Sequence, residues 1–462
     1  LPQNRVAAFG IVDFHTACHH RLASPTVTPA MNAISNRRGF FRNTALALAV
    51  PTLLPSRVFT AETPPSARIN LGFIGNGTQG RYLLGNCLKR PNVVVTAVCD
   101  VDTKRRENAR NTIQQHYAKN GGSTAPGVCE AFGDFRDLLA RPEIDAVVIA
   151  TPDHWHAFIG ILAARAGKDI YCEKPLTQTI HEARALVKTV RKHQRVFQVG
   201  SMQRSSREFR RACQLVRNGA IGTLQRIEVG VGGPGRWCDL PAQPIEPGLD
   251  WNLWLGPAPW REYNAELSPR GVHTHFPNWR SYREYGGGMI TDWGAHHFDI
   301  AQWALGMDES GPVEVIPPSE DNAQSGVQFR YANGVPMVHT PGNGITFLGS
   351  EGRIYVNRGK FESTPESLVE IPLESHKIQL YESNDHIGDW LQCIGTRKRP
   401  ICDVEVGART VSVCHLANLA YWNRQRLEWD PKEESFVNGN GDNAWRDRIY
   451  RDPWSLSRVL QA

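Results

Sequence analysis

The chain is short of several things, and each shortage removes a class of function. Its ten cysteines are scattered, with no Cys-x-x-Cys pair and no regular spacing, so neither a disulfide framework nor a cysteine zinc site is written into it. No compact zinc motif such as His-Glu-x-x-His occurs. There is no long Lys/Arg run, which argues against a nucleic-acid partner. No internal repeat or low-complexity stretch is evident. The apolar run from Ala45 to Leu54 is too short and too interrupted by proline to serve as a membrane anchor. Even the net charge of +6 is thin: the first 61 residues hold six arginines and one aspartate, leaving +1 for the rest.

What remains is 462 residues that are 41% hydrophobic and 21% charged, the composition of a soluble globular protein of two or three domains. Cys99, Cys172 and Cys414 fall in apolar stretches and read as small core residues. The N-terminus reads as an address. Asn36-Arg37-Arg38-Gly39-Phe40-Phe41-Arg42 precedes the apolar run, the order of a secretory signal, and the paired arginines mark the twin-arginine type. Met31 would open a signal of ordinary length, with cleavage between Val58 and Pro65 and residues 1–65 as a presequence. The expectation is an exported, periplasmic protein that meets the twin-arginine machinery already folded.

From residue 66 the pattern is structural. Ile69 to Ile74 reads as a buried strand running into Gly75-Asn76-Gly77-Thr78-Gln79-Gly80, then a helix with Leu83, Leu84, Cys87 and Leu88 on one face. In a G-x-G-x-x-G the glycines allow a tight turn, close approach of pyrophosphate, and close helix–strand packing. The helix N-terminus offers free N–H groups to the phosphates. A second strand, Val93 to Cys99, ends in Asp100, where a carboxylate accepts hydrogen bonds from a ribose and repels a 2′-phosphate. NAD is therefore expected ahead of NADP, although Lys104, Arg105 or Arg106 could accommodate the latter. Strand–helix alternation continues through Asp145–Ala150, Ala157–Ala166, Asp169–Cys172, Ile180–Lys192 and Arg195–Val199. That spacing predicts an α/β, doubly wound parallel sheet over 66–200, with ligands at the carboxyl ends of its strands. The loops there are Thr151-Pro152-Asp153-His154-Trp155-His156, Glu173-Lys174-Pro175 and Gly200-Ser201-Met202-Gln203-Arg204.

With these loops the chain resembles the glucose–fructose oxidoreductase / inositol dehydrogenase family, Gfo/Idh/MocA, over roughly residues 68 to 430. The matching residues are Gly75–Gly80, Asp100, Thr151-Pro152 with His156, Glu173-Lys174-Pro175, and Asp292-Trp293-Gly294-Ala295-His296. The resemblance implies a Rossmann domain followed by an α/β domain with a large, mostly antiparallel sheet, over 201–435. It implies a cofactor site of Gly75, Asn76, Gly77, Thr78, Gln79, Gly80, Asp100, Thr151, Pro152, His156, Glu173 and Lys174. It also implies that Lys174, Asp292 and His296 surround the substrate carbon, and that copies of the chain associate through the C-terminal sheet.

Met289 to Leu305 reads as one helix, with Asp292, His296 and Asp299 on a shared face. Hydride transfer from a hydroxyl-bearing carbon needs a group to take the O–H proton, a task that suits histidine. Lys174 could polarise the oxygen. His297 lies one position round and is expected to point away. No metal is expected: His273, His275, His296, His297 and Asp292 offer possible ligands, but this chemistry requires none. Between Gly230 and Gly288 the chain is loop-rich, with eight prolines and the tryptophans Trp237, Trp251, Trp254, Trp260 and Trp279. This segment is either a wall that stacks on sugar C–H faces or a set of loop pins. Arg280, Tyr282 and Tyr285 are its candidate polar contacts to substrate, joined by Gln203 of the Gly200–Arg204 loop. Three functions stay open: an NAD-linked oxidoreductase of a sugar, polyol or glycoside; a glycosidase using transient oxidation by NAD; and an inactive sugar-binding relative. Beyond the helix, strands at Val327–Tyr331 and Met337–Thr340, helices at Ser383–Ile394 and Val406–Asn423, and a turn-rich tail over 436–462 complete the expectation.

Overall fold

The computed structural model describes residues 68–120, 129–375 and 377–461. The twin-arginine segment, Met31 and the expected cleavage region lie outside the described residues. Among the described residues no helix is long and apolar enough to cross a membrane.

The first domain follows from its sequence pattern. Strands β1 (Ile69–Ile74), β2 (Val93–Cys99), β3 (Glu130–Phe132), β4 (Ala146–Ile149), β5 (Asp169–Cys172) and β6 (Phe197–Val199) form one sheet in the order β3-β2-β1-β4-β5-β6. Every pairing is parallel. Order reverses between β1 and β4, so the crevice at their carboxyl ends is the place where a nucleotide can lie. Helix α1 (Thr78–Leu88) buries Leu83, Leu84, Cys87 and Leu88, the face its spacing predicted. Helices α2 (Thr103–Lys119), α3 (Phe135–Leu139), α4 (His156–Arg165) and α5 (Ile180–Lys192) supply the crossovers.

After α6 (Arg207–Arg217), strand β7 (Leu224–Gly230) opens a second sheet. It has nine strands, with β8 (Glu314–Ile316), β9 (Gln328–Arg330), β10 (Pro336–Thr340), β11 (Gly344–Gly349), β12 (Arg353–Asn357), β13 (Lys360–Thr364), β14 (Leu427–Asp430) and β15 (Ser435–Phe436). All its pairings are antiparallel except β10 with β7. Its inner residues Ile227, Val229, Phe329, Met337, Phe347 and Ile354 are fully buried in a core shared with helices α4, α5, α9 (Gly294–Leu305) and α10 (Val404–Asn423). That core is continuous with the first domain.

Two expectations are corrected here. Met289–Leu305 is not one helix: α8 (Met289–Asp292) ends at Trp293, and α9 starts at Gly294. Asp292 and Asp299 take different partners: Asp299 pairs with buried Arg204 at 2.8 Å. The tail is also less peripheral than its composition suggests. Arg448 donates to Glu182 (2.8 Å) and Trp454 packs edge-on against Trp155 (4.7 Å), so the last residues return to the first domain.

The insertion between β7 and α8 builds a small core of its own. Trp251 and Trp254 of the short helix α7 (Trp251–Leu255) stack at 4.6 Å, and Tyr263, Leu267, Trp279, Tyr282 and Tyr285 close around them. Trp237 and Trp260 stay exposed. The insertion is tied to the first domain by Thr103 N–H to the Gly248 carbonyl (3.0 Å), Asp250 N–H to Val101 (3.0 Å) and the Lys104–Glu246 ion pair (2.7 Å).

Candidate active site

A cavity of about 480 Å³ runs from the glycine-rich turn and Asp100 to Lys174, Asp292 and His296, walled on one side by the insertion. Its nucleotide end suits a dinucleotide on steric grounds. Gly75 has φ +88°, and a Cβ there would meet Ala150 and Thr151 backbone at 2.7 Å. A Cβ on Gly80 would lie 2.1 Å from the Gly75 carbonyl oxygen, so helix and strand approach as closely as backbone permits. At Gly77 a Cβ would meet no protein atom within 4 Å, and no side chain caps α1 there. That open face and the uncapped helix start are what pyrophosphate requires.

Asp100 is fixed rather than free. Its Oδ2 accepts from Asn76 N–H at 2.7 Å and its Oδ1 from Asp102 N–H at 2.9 Å. Burial raises its pKa, opposed by Arg105 and these two N–H groups. The three nearby cations are engaged. Lys104 pairs with Glu246, Arg106 donates to the Asp100 carbonyl (2.8 Å), and Arg105 donates to the carbonyls of Gly271 (3.1 Å) and Pro269. Those last contacts belong to a strap, residues 268–276, that crosses the glycine-rich turn. Thr78 Oγ1 donates to the His275 carbonyl at 2.8 Å, and Arg81 donates to that of His273. Thr78 thus holds the strap as well as lining the cavity.

At the other end, Lys174 Nζ donates to Asp292 Oδ1 (2.6 Å) and to the Asp292 carbonyl (2.9 Å). Arg280 Nε stands 3.5 Å from the same Oδ1. Burial alone would raise the Asp292 carboxyl; Lys174 and Arg280 outweigh it and hold it below the usual carboxylate range. His296 is 5% exposed, and its Nδ1 has no hydrogen-bond partner. Burial first, then the charges of Lys174 and Arg358, keep its pKa well below the ordinary value, so the ring is neutral at neutral pH. Glu173 accepts from Gln79 Nε2 at 2.8 Å, joining the Glu-Lys-Pro loop to the glycine-rich turn. Thr151, Pro152, Glu173, Lys174 and Arg280 all line the cavity.

Other candidates sit behind it. Asn76 is buried and faces Asp100 and the Cys99 carbonyl (2.8 Å). His156 lies between the Pro175 (2.8 Å) and Thr151 (2.9 Å) carbonyls; burial pushes its pKa down to about 4, so a neutral ring donates to one of them and ties two loops together. Tyr282 and Tyr285 are buried in the aromatic core of the insertion, Tyr285 against Trp254 (5.3 Å) and His154 (5.5 Å). Gln203 is buried beneath the cavity. With its amide nitrogen toward the His296 carbonyl (3.1 Å), its oxygen accepts from Arg358 Nε (3.2 Å). His297 turns away to the Gly230 carbonyl (2.9 Å), as expected. Of the insertion's tryptophans, Trp254 and Trp279 line the cavity while Trp251 pins the loop, so wall and pin are both present.

Two cavity residues escaped the sequence reading. Asp153 is buried, and burial followed by the Asp292 charge holds its carboxyl well above the usual range. Its place two residues after Thr151 in a strand-end loop was a visible signal. Arg358 comes from the turn between β12 and β13, and nothing in its local sequence marks it. Among the described residues no group of three His, Cys, Asp or Glu side chains is arranged to hold a metal ion.

Residues 69–201 match the Gfo/Idh/MocA oxidoreductase family's NAD-binding Rossmann fold, and residues 231–456 match its C-terminal alpha/beta domain. A glycosyl hydrolase family 109 protein of Stenotrophomonas maltophilia is 30% identical over 49% of this chain and 48% of its own. The myo-inositol 2-dehydrogenase of Thermotoga maritima is 22% identical over 63% of this chain and 75% of its own. The chain spans about half the length of the first curated relatives it matches. Among solved structures, the WlbA dehydrogenase from Bordetella pertussis, in complex with NADH and UDP-GlcNAcA, superposes with a TM-score of 0.56 at 17% identity. That match covers 79% of this chain and 99% of WlbA, and it shows the shared fold.

Proposed function

The chain belongs to the Gfo/Idh/MocA oxidoreductase family, and on that premise we propose that it transfers hydride between NAD and a hydroxyl-bearing carbon of a sugar, polyol or glycoside. The observation that carries this reading is a single cavity joining the glycine-rich turn and Asp100 to Lys174, Asp292 and His296, with Lys174 Nζ 2.6 Å from Asp292 Oδ1. When bound, NAD supplies the two-electron acceptor. The protein supplies position and proton traffic. His296, neutral and open to the cavity, takes the hydroxyl proton as the C–H bond breaks, and returns it in the reverse direction. Lys174, oriented by Asp292, donates a hydrogen bond to the reacting oxygen. The substrate class draws support from the inositol dehydrogenase and the sugar-nucleotide complex among the relatives. Purified protein with NAD, challenged with a panel of sugars and polyols, should produce reduced cofactor measured by absorbance. No reduction with any of them overturns the reading.

A second reading, an NAD-assisted glycoside hydrolase, is favoured by the strap across the glycine-rich turn and by the family 109 relative. A cofactor held through turnover would oxidise the sugar, permit elimination and then reduce the product. Aglycone release without net NADH identifies this case.

Export through the twin-arginine route is supported by Asn36–Arg42. A homo-oligomer is supported by the outer face of the second sheet, where Arg226, Glu228, Thr346 and Tyr355 are only partly covered.

A further inference from the structure

Among the described residues, Arg358 is the one arginine or lysine of the cavity without a carboxylate in ion-pair range: Arg105 has Asp102, while Lys174 and Arg280 share Asp292. It is exposed at the cavity's rim, yet anchored there. The β12–β13 turn delivers it to the catalytic end, and its guanidinium stacks 4.5 Å from the ring centroid of Trp293. Trp293 occupies the break between α8 and α9, between Asp292 and His296. The buried amide of Gln203 takes Nε, leaving both terminal NH₂ groups for something else. A stacked, oriented guanidinium with a free edge is the geometry that receives an oxyanion by two parallel hydrogen bonds.

The charge balance points the same way. Lys174 and Asp292 cancel, and Arg280 and Arg358 remain, so this end carries +2 before the other acids are counted. Burial, then the charge of Asp292, raises the Asp153 carboxyl and disfavours its charged form. Glu173, whose pKa is also raised by burial, subtracts at most one. A carboxylate on the substrate would offset the charge of Arg358, which a neutral sugar leaves to solvent.

Resting on the function proposed above, we propose that the substrate is an anionic sugar, a sugar acid whose carboxylate is gripped by Arg358 against Trp293 while its hydroxyl faces His296 and Lys174. A single singly charged oxyanion suits one free guanidinium, whereas a phosphate would need a second free cation, and Arg280 is committed to Asp292.

The test pairs neutral aldoses with their uronic and aldonic acids, and with sugar phosphates as a separate arm. Wild type, Arg358→Gln and Arg358→Lys are compared by NADH formation and by calorimetric binding of the sugar acids to the NAD-loaded protein. Wild type should favour the acids in kcat/KM by about 10- to 100-fold, the worth of a charge-assisted pair. Arg358→Gln should lose that preference mainly through KM and weaken calorimetric binding equally, while Arg358→Lys keeps part of it. Equal use of acid and neutral sugar by wild type overturns the proposal, as does a preference that survives in Arg358→Gln, or phosphates outperforming acids. If no sugar is oxidised, the function proposed above fails, yet calorimetry still decides whether Arg358 binds sugar acids. A thermal melt of each variant separates loss of the anion site from loss of the fold.

Discussion

Replacing His296 with alanine is the perturbation that most directly tests the chemistry. The ring borders the cavity, its Nδ1 has no partner, and its nearest aromatic neighbour is Trp293 at 6.0 Å. Truncation therefore enlarges a space already open to solvent, breaks no hydrogen bond of the ring, and removes one buried polar atom that was unsatisfied. The change in stability should stay within about 1 kcal/mol, a Tm shift of less than about 4 °C. Turnover should behave differently. Loss of a positioned proton acceptor lowers it by about 10²- to 10⁴-fold, or about 2.7 to 5.4 kcal/mol of barrier. NAD affinity should hardly change, because the glycine-rich turn and Asp100 are at the other end of the cavity. The pH dependence follows from the same geometry. His296 accepts a proton only when neutral, so oxidation proceeds above its depressed folded-state pKa and is lost as pH falls through it. Lys174→Met removes a charge that helps depress that pKa, so on the rate that remains the acid limb should move up toward the ordinary histidine value. Stopped-flow measurement of the hydride step, beside thermal melts, checks all of this. A normal hydride step in His296→Ala, or an acid limb that stays put in Lys174→Met, would refute the reasoning.

Further expectations are more compact. Asp100→Ser should weaken NAD by about tenfold or more through the lost charge-assisted hydrogen bonds, and should narrow the gap to NADP. Wild-type protein that binds NADP more tightly than NAD on titration would contradict it. Acid should unfold the protein early. Burial pushes the pKa of His154 to about 3 and those of His156, His386 and His415 to about 4. The unfolded chain takes up these protons near pH 6.5 and the folded one does not, so stability is full above 6.5. Below it, each histidine removes about 1.36 kcal/mol per pH unit until its folded pKa is reached. A Tm that does not fall between pH 7 and pH 4.5 would show that these rings protonate freely. Finally, replacing Arg37 and Arg38 together with lysine should trap the precursor in the cytoplasm, and undiminished periplasmic recovery of the double variant would remove the export proposal.

The parts of the protein legible in its sequence were those governed by short-range pattern. The glycine-rich turn needs only a strand before it and an amphipathic helix after it. Asp100 needs only the next strand end, and β1, β2, β4, β5 and β6 announce themselves by apolar runs at a regular spacing, whereas the three-residue β3, Glu-Ala-Phe, carries no such run and was not legible. The Glu-Lys-Pro and Asp-Trp-Gly-Ala-His segments were visible as well, because their residues are adjacent in the chain. Tertiary structure decided what those segments meet. Lys174 and Asp292 are 118 residues apart and become partners because α8 is laid against the carboxyl end of β5. Asp299 shares the sequence stretch of Asp292 but lies two turns further on, where buried Arg204 takes it. Gln203 and Tyr285 have polar ends suited to a sugar, but the former supports Arg358 and the latter is packed among aromatics. Arg358 reaches His296 only because the second sheet folds its β12–β13 turn over the cavity. A residue's type and its neighbours in sequence fix what chemistry it can perform. Which partner and which burial it receives depend on chain segments tens to hundreds of positions away, and these set its charge and its reach.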